Sequence, residues 1–104
     1  MKTRVRVGSQ VENFIRALSP EPRRAVRQAL KGLADNKGDT KQLEGKLAGL
    51  WRLRVGRIRV VYDIKAVKGE RVIYCFYASY RPVIYSILEQ LLSSGFVEEI
   101  REEK

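Results

Sequence analysis

The stretch "LWRLRVGRIRVVY", residues 50–62, decides how this sequence folds, because apolar and charged residues alternate along it on both sides of a glycine. Gly56 stands where a type II′ hairpin turn requires glycine, at the first central position. The alternation and the turn together predict two antiparallel strands of a sheet, at about 50–55 and 57–65.

This predicted hairpin has two chemically different faces, because successive side chains of a strand point to opposite sides of the sheet. Pairing across the turn places Val55 opposite Ile58 and Arg54 opposite Arg59. One face is apolar and should form the core beneath the helices: Trp51, Leu53, Val55, Ile58, Val60 and Tyr62. The other face carries Arg52, Arg54 and Arg59.

Three arginines on one face of a hairpin need an explanation. Like charges directly opposite each other on adjacent strands destabilise the pair by roughly 0.2–1 kcal/mol. Asp63 is the one acid that the predicted strands place nearby. A solvated outer face that is merely basic is one interpretation. We favour the other, a face that binds phosphate, because without a partner the fold would gain by replacing one arginine.

The N-terminal part of the chain predicts a strand and two helices. Residues 3–7 alternate polar and apolar side chains, and Ser9 with Glu12 has the S-x-x-E pattern of a capping box. The sequence "SPEP" ends this helix and begins a second one, with Ser19 as N-cap and proline at the first helical position, that runs to about Ala34. Residues at helical spacing should face inward: Val11, Phe14, Ile15, Leu18, Val26, Leu30 and Leu33.

The remaining elements complete the predicted fold. The residues between the second helix and the hairpin, including Leu43 and Leu47, are interpreted as a loop. A further strand at about 70–78 and a helix that begins at Pro82 give the order β-α-α-β-β-β-α. We predict an α+β fold: a small, mostly antiparallel four-stranded sheet with an N-terminal helical hairpin on one face and a C-terminal helix.

Residues 1–104 read as one domain, since no repeat or linker divides them and 44% of the residues are hydrophobic. The end of the chain differs in charge, because residues 96–104 carry four glutamates against one arginine and one lysine. This short acidic tail is either solvated, with at most an extra helical turn, or folds back on the arginine face. We favour the first interpretation.

The net charge of +9 favours a polyanionic partner, which charge alone leaves open as nucleic acid, an acidic protein or a membrane surface. The sequence contains no histidine. Histidine is the commonest metal ligand and the usual acid or base near neutral pH. We therefore expect no metal site, no other cofactor, no Ser-His-Asp triad and no two-histidine ribonuclease chemistry.

Location follows from what the sequence lacks. Its single cysteine, Cys75, cannot form an internal disulfide. No apolar run approaches the ~20 residues needed to span a bilayer, and the start "MKTRVRV" is unlike a signal peptide. We expect a cytoplasmic protein without a membrane partner.

The stretch "ASYRPVIY", residues 78–85, joins the last predicted strand to the last helix. It should bring Tyr80 and Arg81 to the edge of the sheet and Tyr85 into the first turn of the helix, where backbone N–H groups favour an anion. For Tyr85 the alternative is an ordinary half-buried tyrosine beside Ile84. The basic residues of the second helix are interpreted as a solvated face.

The sequence resembles the RelE/ParE superfamily of bacterial and archaeal toxin–antitoxin toxins over roughly residues 3–92. The resemblance rests on "LSPEPRRAVRQALKGLADN", on "KQLEGKLAGLWRLRVGRIRVVYDI" and on "YRPVIY". The middle block, L-x-G-x-L-x-G-L-W-R-L-R-V-G-x-x-R-V-V-Y, is the specific part. RelE-like members are similar in being ribosome-dependent endoribonucleases that cut mRNA, and they share the predicted order of elements.

What the resemblance implies for the site is a set of RNA-binding residues, Arg52 and Arg54, and a set of catalytic residues, Arg59, Arg81 and Tyr85. The implied reaction is metal-independent: the substrate's own 2′-OH attacks the adjacent phosphate. The sequence departs from the family in two respects: Tyr80-Arg81 stands where many members carry His-Arg, and the basic pair Arg52 and Arg54 is lysine in some RelE-type toxins.

The resemblance also implies partners, namely mRNA on the ribosome and a cognate antitoxin with an acidic or amphipathic segment that wraps the toxin. ParE-like members share the hairpin motif but are similar in poisoning DNA gyrase without being nucleases. A ParE-like, non-nuclease toxin that binds gyrase is therefore the alternative function.

Overall fold

The computed structural model describes residues 2–80 together with residues 86, 89 and 90. Five strands and two α-helices follow one another along this part of the chain. Their bounds are β1 (Lys2–Val7), α1 (Ser9–Arg16), α2 (Pro20–Gly32), β2 (Asp39–Gln42), β3 (Trp51–Val55), β4 (Ile58–Val67) and β5 (Glu70–Tyr80), with short 3-10 turns at Leu33–Asp35 and Gly45–Leu47.

The strands form one mixed sheet in the order β1-β5-β4-β3-β2. β1 runs parallel to β5, and the other three neighbouring pairs are antiparallel. The predicted four-stranded sheet is therefore wrong by one strand, because β2 lies in the segment that was interpreted as a loop. Its sequence, DTKQ, contains no apolar residue and all four residues are exposed. Hydrophobic alternation cannot reveal a strand of this kind.

The hairpin of β3 and β4 has the predicted register. Val55 pairs with Ile58 and Arg54 pairs with Arg59. Gly56 has a φ of +61°, a left-handed conformation that an L side chain rarely adopts. The turn glycine thus fixes which residues face each other, and through that pairing it fixes which side chains share a face.

Both helices pack on one face of the sheet, where most of their predicted inward residues are buried with the apolar face of the hairpin; Phe14, Trp51 and Val55 are partly buried against this cluster. This cluster contains Val11, Ile15, Leu18, Val26, Leu30, Leu33, Leu53, Ile58, Val60, Tyr62, Ile73, Cys75 and Ala78. Cys75 is completely buried, and burial raises the pKa of its thiol to about 12. Cys75 is therefore an inert residue of the core.

The start of α1 differs from the prediction. Gly8 is the N-cap and Ser9 is already helical, so Ser9 and Glu12 do not form a capping box. Glu12 instead accepts a hydrogen bond from Arg27 of α2 at 2.9 Å, and this bond ties the two helices together. Its carboxylate also lies 3.6 Å from Arg16 of the same helix. The start of α2 agrees with the prediction, because Ser19 is its N-cap and a proline follows.

The predicted helix from Pro82 and the acidic tail at 96–104 lie outside the described residues, apart from residues 86, 89 and 90. They remain predictions. Within the part of the chain that the structure describes, no helix is both long enough and apolar enough to cross a bilayer.

Candidate functional site

The candidate site is an open groove with a volume of about 320 Å³ between β2, β3 and β4. Because side chains alternate along a strand, it lies on the face of the sheet away from the two helices. Its lining is mostly polar: Lys41, Gln42, Leu43, Glu44, Arg52, Arg54 and Arg59. The three arginines that the hairpin pattern placed on one face therefore meet in one groove.

An acid that the sequence analysis missed pairs with two of these arginines. Asp39 lies opposite Arg54 in the β2–β3 ladder, and its Oδ2 forms an ion pair with Arg54 Nη2. Its other oxygen, Oδ1, accepts a hydrogen bond from Arg52 Nη1 at 3.1 Å. These hydrogen bonds, with that from Arg52 the largest cause, hold the pKa of the Asp39 carboxyl below its usual value. Asp63 is thus not the one acid near the basic face.

Arg59 is held differently from its neighbours. Only 5% of the residue is exposed, and its Nη1 donates hydrogen bonds to the backbone oxygens of Gly56 at 2.8 Å and Ile58 at 3.2 Å. The guanidinium therefore satisfies carbonyls of its own hairpin turn. The sequence analysis treated Arg59 as one of two opposed surface charges, but its contacts give it a structural role as well.

Arg52 and Arg54 differ in how accessible they are. The Arg52 side chain is 14% exposed, and its Nη1 also donates to the backbone oxygen of Asp39 at 3.1 Å. The Arg54 side chain is 50% exposed. A ligand that enters the groove therefore meets Arg54 first, with Arg52 behind it and Arg59 already fixed in the wall.

The residues of the last strand and beyond are placed only in part. Tyr80 is 47% exposed, and its ring lies edge-on to Phe14 of α1 at a centroid distance of 5.3 Å. Tyr80 thus lies on the helix side of the sheet, not in the groove. Arg81 and Tyr85, the other two predicted catalytic residues, lie outside the described residues.

Sequence reasoning missed Asp39, Lys41 and Glu44 because their segment was interpreted as a loop. Lys41 lies opposite Arg52 in the β2–β3 ladder, which brings it into the groove. One signal was present in the sequence, the glycine at position 38 immediately before the strand. In the structure Gly38 has a φ of +105°. A glycine before a short polar run is typical of many loops, however, and does not by itself predict an edge strand.

The proteins that this chain resembles significantly are known from solved structures. No protein-family model matches the sequence, and no curated protein is significantly similar to it.

Several solved structures have the same fold over most of this chain. The RelBE2 toxin–antitoxin complex from Mycobacterium tuberculosis matches with a TM-score of 0.65 at 23% identity, covering 78% of this chain and 100% of that one. The archaeal RelE–RelB complex from Pyrococcus horikoshii matches with 0.63 at 27% identity, covering 79% and 98%. A YoeB/ParE toxin from Agrobacterium tumefaciens matches with 0.59 at 16% identity, covering 78% and 99%.

These matches define the class of protein to which the fold corresponds. Over about 78% of its length, the chain has the fold of the RelE, YoeB and ParE toxins of toxin–antitoxin complexes. The fold that the sequence resemblance to the RelE/ParE superfamily implied is thereby confirmed.

Proposed function

We propose that this chain is the toxin of a toxin–antitoxin pair and that it stops translation as a ribosome-dependent mRNA endoribonuclease. The observation that carries the proposal is the groove in which Arg52, Arg54 and Arg59 converge on the sheet face away from the helices. Guanidinium groups bind phosphate oxygens through paired hydrogen bonds, so such a groove suits an RNA backbone.

The proposed reaction begins when the 2′-OH of the substrate attacks the adjacent phosphate, which gathers negative charge on the nonbridging oxygens. Arg59 and Arg81 stabilise that charge, while Arg52 and Arg54 hold the neighbouring backbone. The fixed position of Arg59 favours this role, because a donor that needs no rearrangement stabilises a transition state most effectively.

Proton transfer falls to residues other than histidine in this proposal. In this proposal Tyr85 takes the proton of the 2′-OH, since guanidinium groups close to a phenol favour phenolate, and Arg81 donates to the leaving 5′-oxygen. A phenol and a guanidinium are a weak acid–base pair on their own. The ribosome would compensate by aligning the RNA, since orientation alone contributes roughly 7–11 kcal/mol to such reactions.

The proposed partner is a cognate antitoxin, because the structural relatives from M. tuberculosis and P. horikoshii were crystallised as toxin–antitoxin complexes. With a net charge of +9, the chain would attract a segment that lays carboxylates over the arginine groove. We propose a cytoplasmic site of action, where mRNA and ribosomes meet.

A ParE-like toxin that binds gyrase is the second candidate, and the match to a YoeB/ParE toxin favours keeping it. The two functions differ in what they require of Tyr85. A nuclease needs its phenol as a base, whereas a gyrase binder should tolerate Tyr85→Phe.

The test is induced expression in bacteria with paired readouts of protein synthesis and DNA supercoiling. Wild type should stop synthesis within minutes and cut only translated mRNA, and Arg54→Ala should abolish the arrest. Arg24→Ala is the matched control, because Arg24 is exposed on α2 and forms no ion pair with a described residue. Normal synthesis together with gyrase–DNA breaks would support the ParE-like function instead.

A further inference from the structure

Asp39 binds two arginines of the groove in a way that resembles a bound phosphate. Its two carboxylate oxygens are divided between two guanidinium groups, Oδ1 to Arg52 and Oδ2 to Arg54. A phosphate of an RNA backbone presents two nonbridging oxygens with the same hydrogen-bonding chemistry. The carboxylate and a phosphate would therefore use the same donors.

The strand that carries Asp39 has no apolar anchor, and its side-chain tie to the core is the hydrogen bond between Thr40 and Tyr62. β2 is four residues long and lies at the edge of the described sheet, where β3 is its one partner among the described strands. All four of its residues are exposed, so no apolar side chain fixes it to the core. Segments with few buried apolar contacts open at low free energy. A ligand that competes for the arginines can thus displace Asp39 without disturbing the core.

We propose that Asp39 is a specificity-determining residue that competes with the RNA backbone for Arg52 and Arg54 and so keeps the protein from binding free RNA. RNA that the ribosome presents at high effective concentration overcomes this competition, and RNA in solution does not. The inference rests on the proposed function, since it assigns the groove to RNA.

The lining of the groove itself contains an acid, Glu44, and comparing it with Asp39 tests whether the bonds to the arginines matter. Glu44 lines the same groove but forms no ion pair with a described residue. Asp39 and Glu44 both repel an incoming phosphate, but Asp39 alone is bonded to the arginines that the phosphate needs. Removing the charge of Asp39 should therefore have the larger effect on binding.

The experiment compares wild type with four variants, three that each lose one negative charge and one that keeps the charge. Asp39→Asn removes the charge and keeps the size of the side chain. Glu44→Gln removes the charge that is not bonded to arginine, and Asp35→Asn removes an exposed charge that lies outside the groove lining. Asp39→Glu keeps the charge. Circular dichroism melts confirm that each protein is folded.

The measurement is fluorescence anisotropy with a short labelled single-stranded RNA and no ribosomes. Asp39→Asn should bind roughly fivefold more tightly than wild type, since the repulsion between two unit charges about 4 Å apart in fully solvated surroundings corresponds to about that factor. Glu44→Gln should show a smaller gain, and Asp35→Asn and Asp39→Glu should match wild type. The slope of log affinity against log salt should steepen by about 0.7 in Asp39→Asn, one additional phosphate contact on a single strand.

Equal RNA binding by Asp39→Asn and Asp35→Asn would overturn the inference. Weaker RNA binding by Asp39→Asn than by wild type would also overturn it, and would make Asp39 a residue that positions the arginines for RNA. The assay needs neither cleavage nor ribosomes, so it is independent of whether the protein is a nuclease. Tighter RNA binding by Asp39→Asn in a protein that poisons gyrase would refute the proposed function while leaving the competition intact.

Discussion

The two faces of the β3–β4 hairpin share one backbone but have different tasks. On the helix side, Leu53 and Val60 are completely buried in the core. On the other side, Arg54 is half exposed in the groove while Arg59, directly across from it, is buried against its own turn. Side chains one residue apart thus separate the core from the groove that we propose binds RNA, with Arg59 belonging to both. Four substitutions or conditions test that division, ordered by their expected effect on the free energy of unfolding.

The largest effect should come from Leu53→Ala on the core face. Leu53 is fully buried among residues of both helices and the sheet. Truncating a buried leucine costs about 2–5 kcal/mol through lost apolar burial and the cavity that remains. Urea denaturation measures the loss. Little destabilisation would mean that the core does not depend on this face of the hairpin.

Arg59→Ala should reduce both stability and activity. The substitution leaves the carbonyls of Gly56 and Ile58 without the donor that satisfies them, which costs about 1–3 kcal/mol. Activity should also fall by about 10²–10³, the usual effect of losing one transition-state donor. Arg59→Lys is the control, because it keeps a charge but not the guanidinium fork. Full activity in Arg59→Ala would exclude Arg59 from the site.

Alkaline pH should destabilise the core face through Cys75. Its thiol has a pKa of about 12 in the folded chain and an ordinary value of 9.0 otherwise. Above pH 9.0 the unfolded state therefore loses a proton that the folded state keeps, so stability falls with a slope of about 1.4 kcal/mol per pH unit, and the loss at about pH 10, where wild type and Cys75→Ala are compared, is about 1.4 kcal/mol. Cys75→Ala should lack this component. Parallel pH curves for the two proteins would contradict it.

Arg54→Ala should have the smallest effect on stability, because a solvent-exposed ion pair contributes little. It should nevertheless weaken RNA binding strongly, since Arg54 is the most accessible arginine of the groove. Thermal melts and RNA binding of the same preparation check both statements. A large loss of stability would show that the Asp39–Arg54 pair supports the fold, contrary to the division between the faces.

The faces and the register of the hairpin could be predicted from the sequence, since alternation and a turn glycine together fix them. Its bounds were off by one or two residues, because the strands are Trp51–Val55 and Ile58–Val67 and not about 50–55 and 57–65. β2 could not, because an edge strand without apolar residues is specified by its partner strand and not by its own pattern. Asp39 was missed for the same reason: its carboxylate meets Arg52 and Arg54 only when β2 pairs with β3.

The N-terminal helices show the same contrast between strong and weak patterns. Their inward stripes were predicted correctly because burial of several residues determines them. The capping box of Ser9 and Glu12 was wrong, since Gly8 bonds to the backbone oxygen of Cys75 at 2.8 Å and serves as the N-cap. The hydrogen bond from Gly8 to β5, and not the local pair of Ser9 and Glu12, therefore determines where α1 begins.

The most direct test of the proposed function is cleavage of a defined mRNA in a reconstituted translation system, mapped by primer extension with and without ribosomes. We predict cuts within the ribosomal A site when ribosomes are present, no cuts in their absence, and no cuts by Arg59→Ala at matched folded concentration. Intact mRNA on stalled ribosomes exposed to the wild-type protein would contradict the proposal that the arginine groove is a nuclease site.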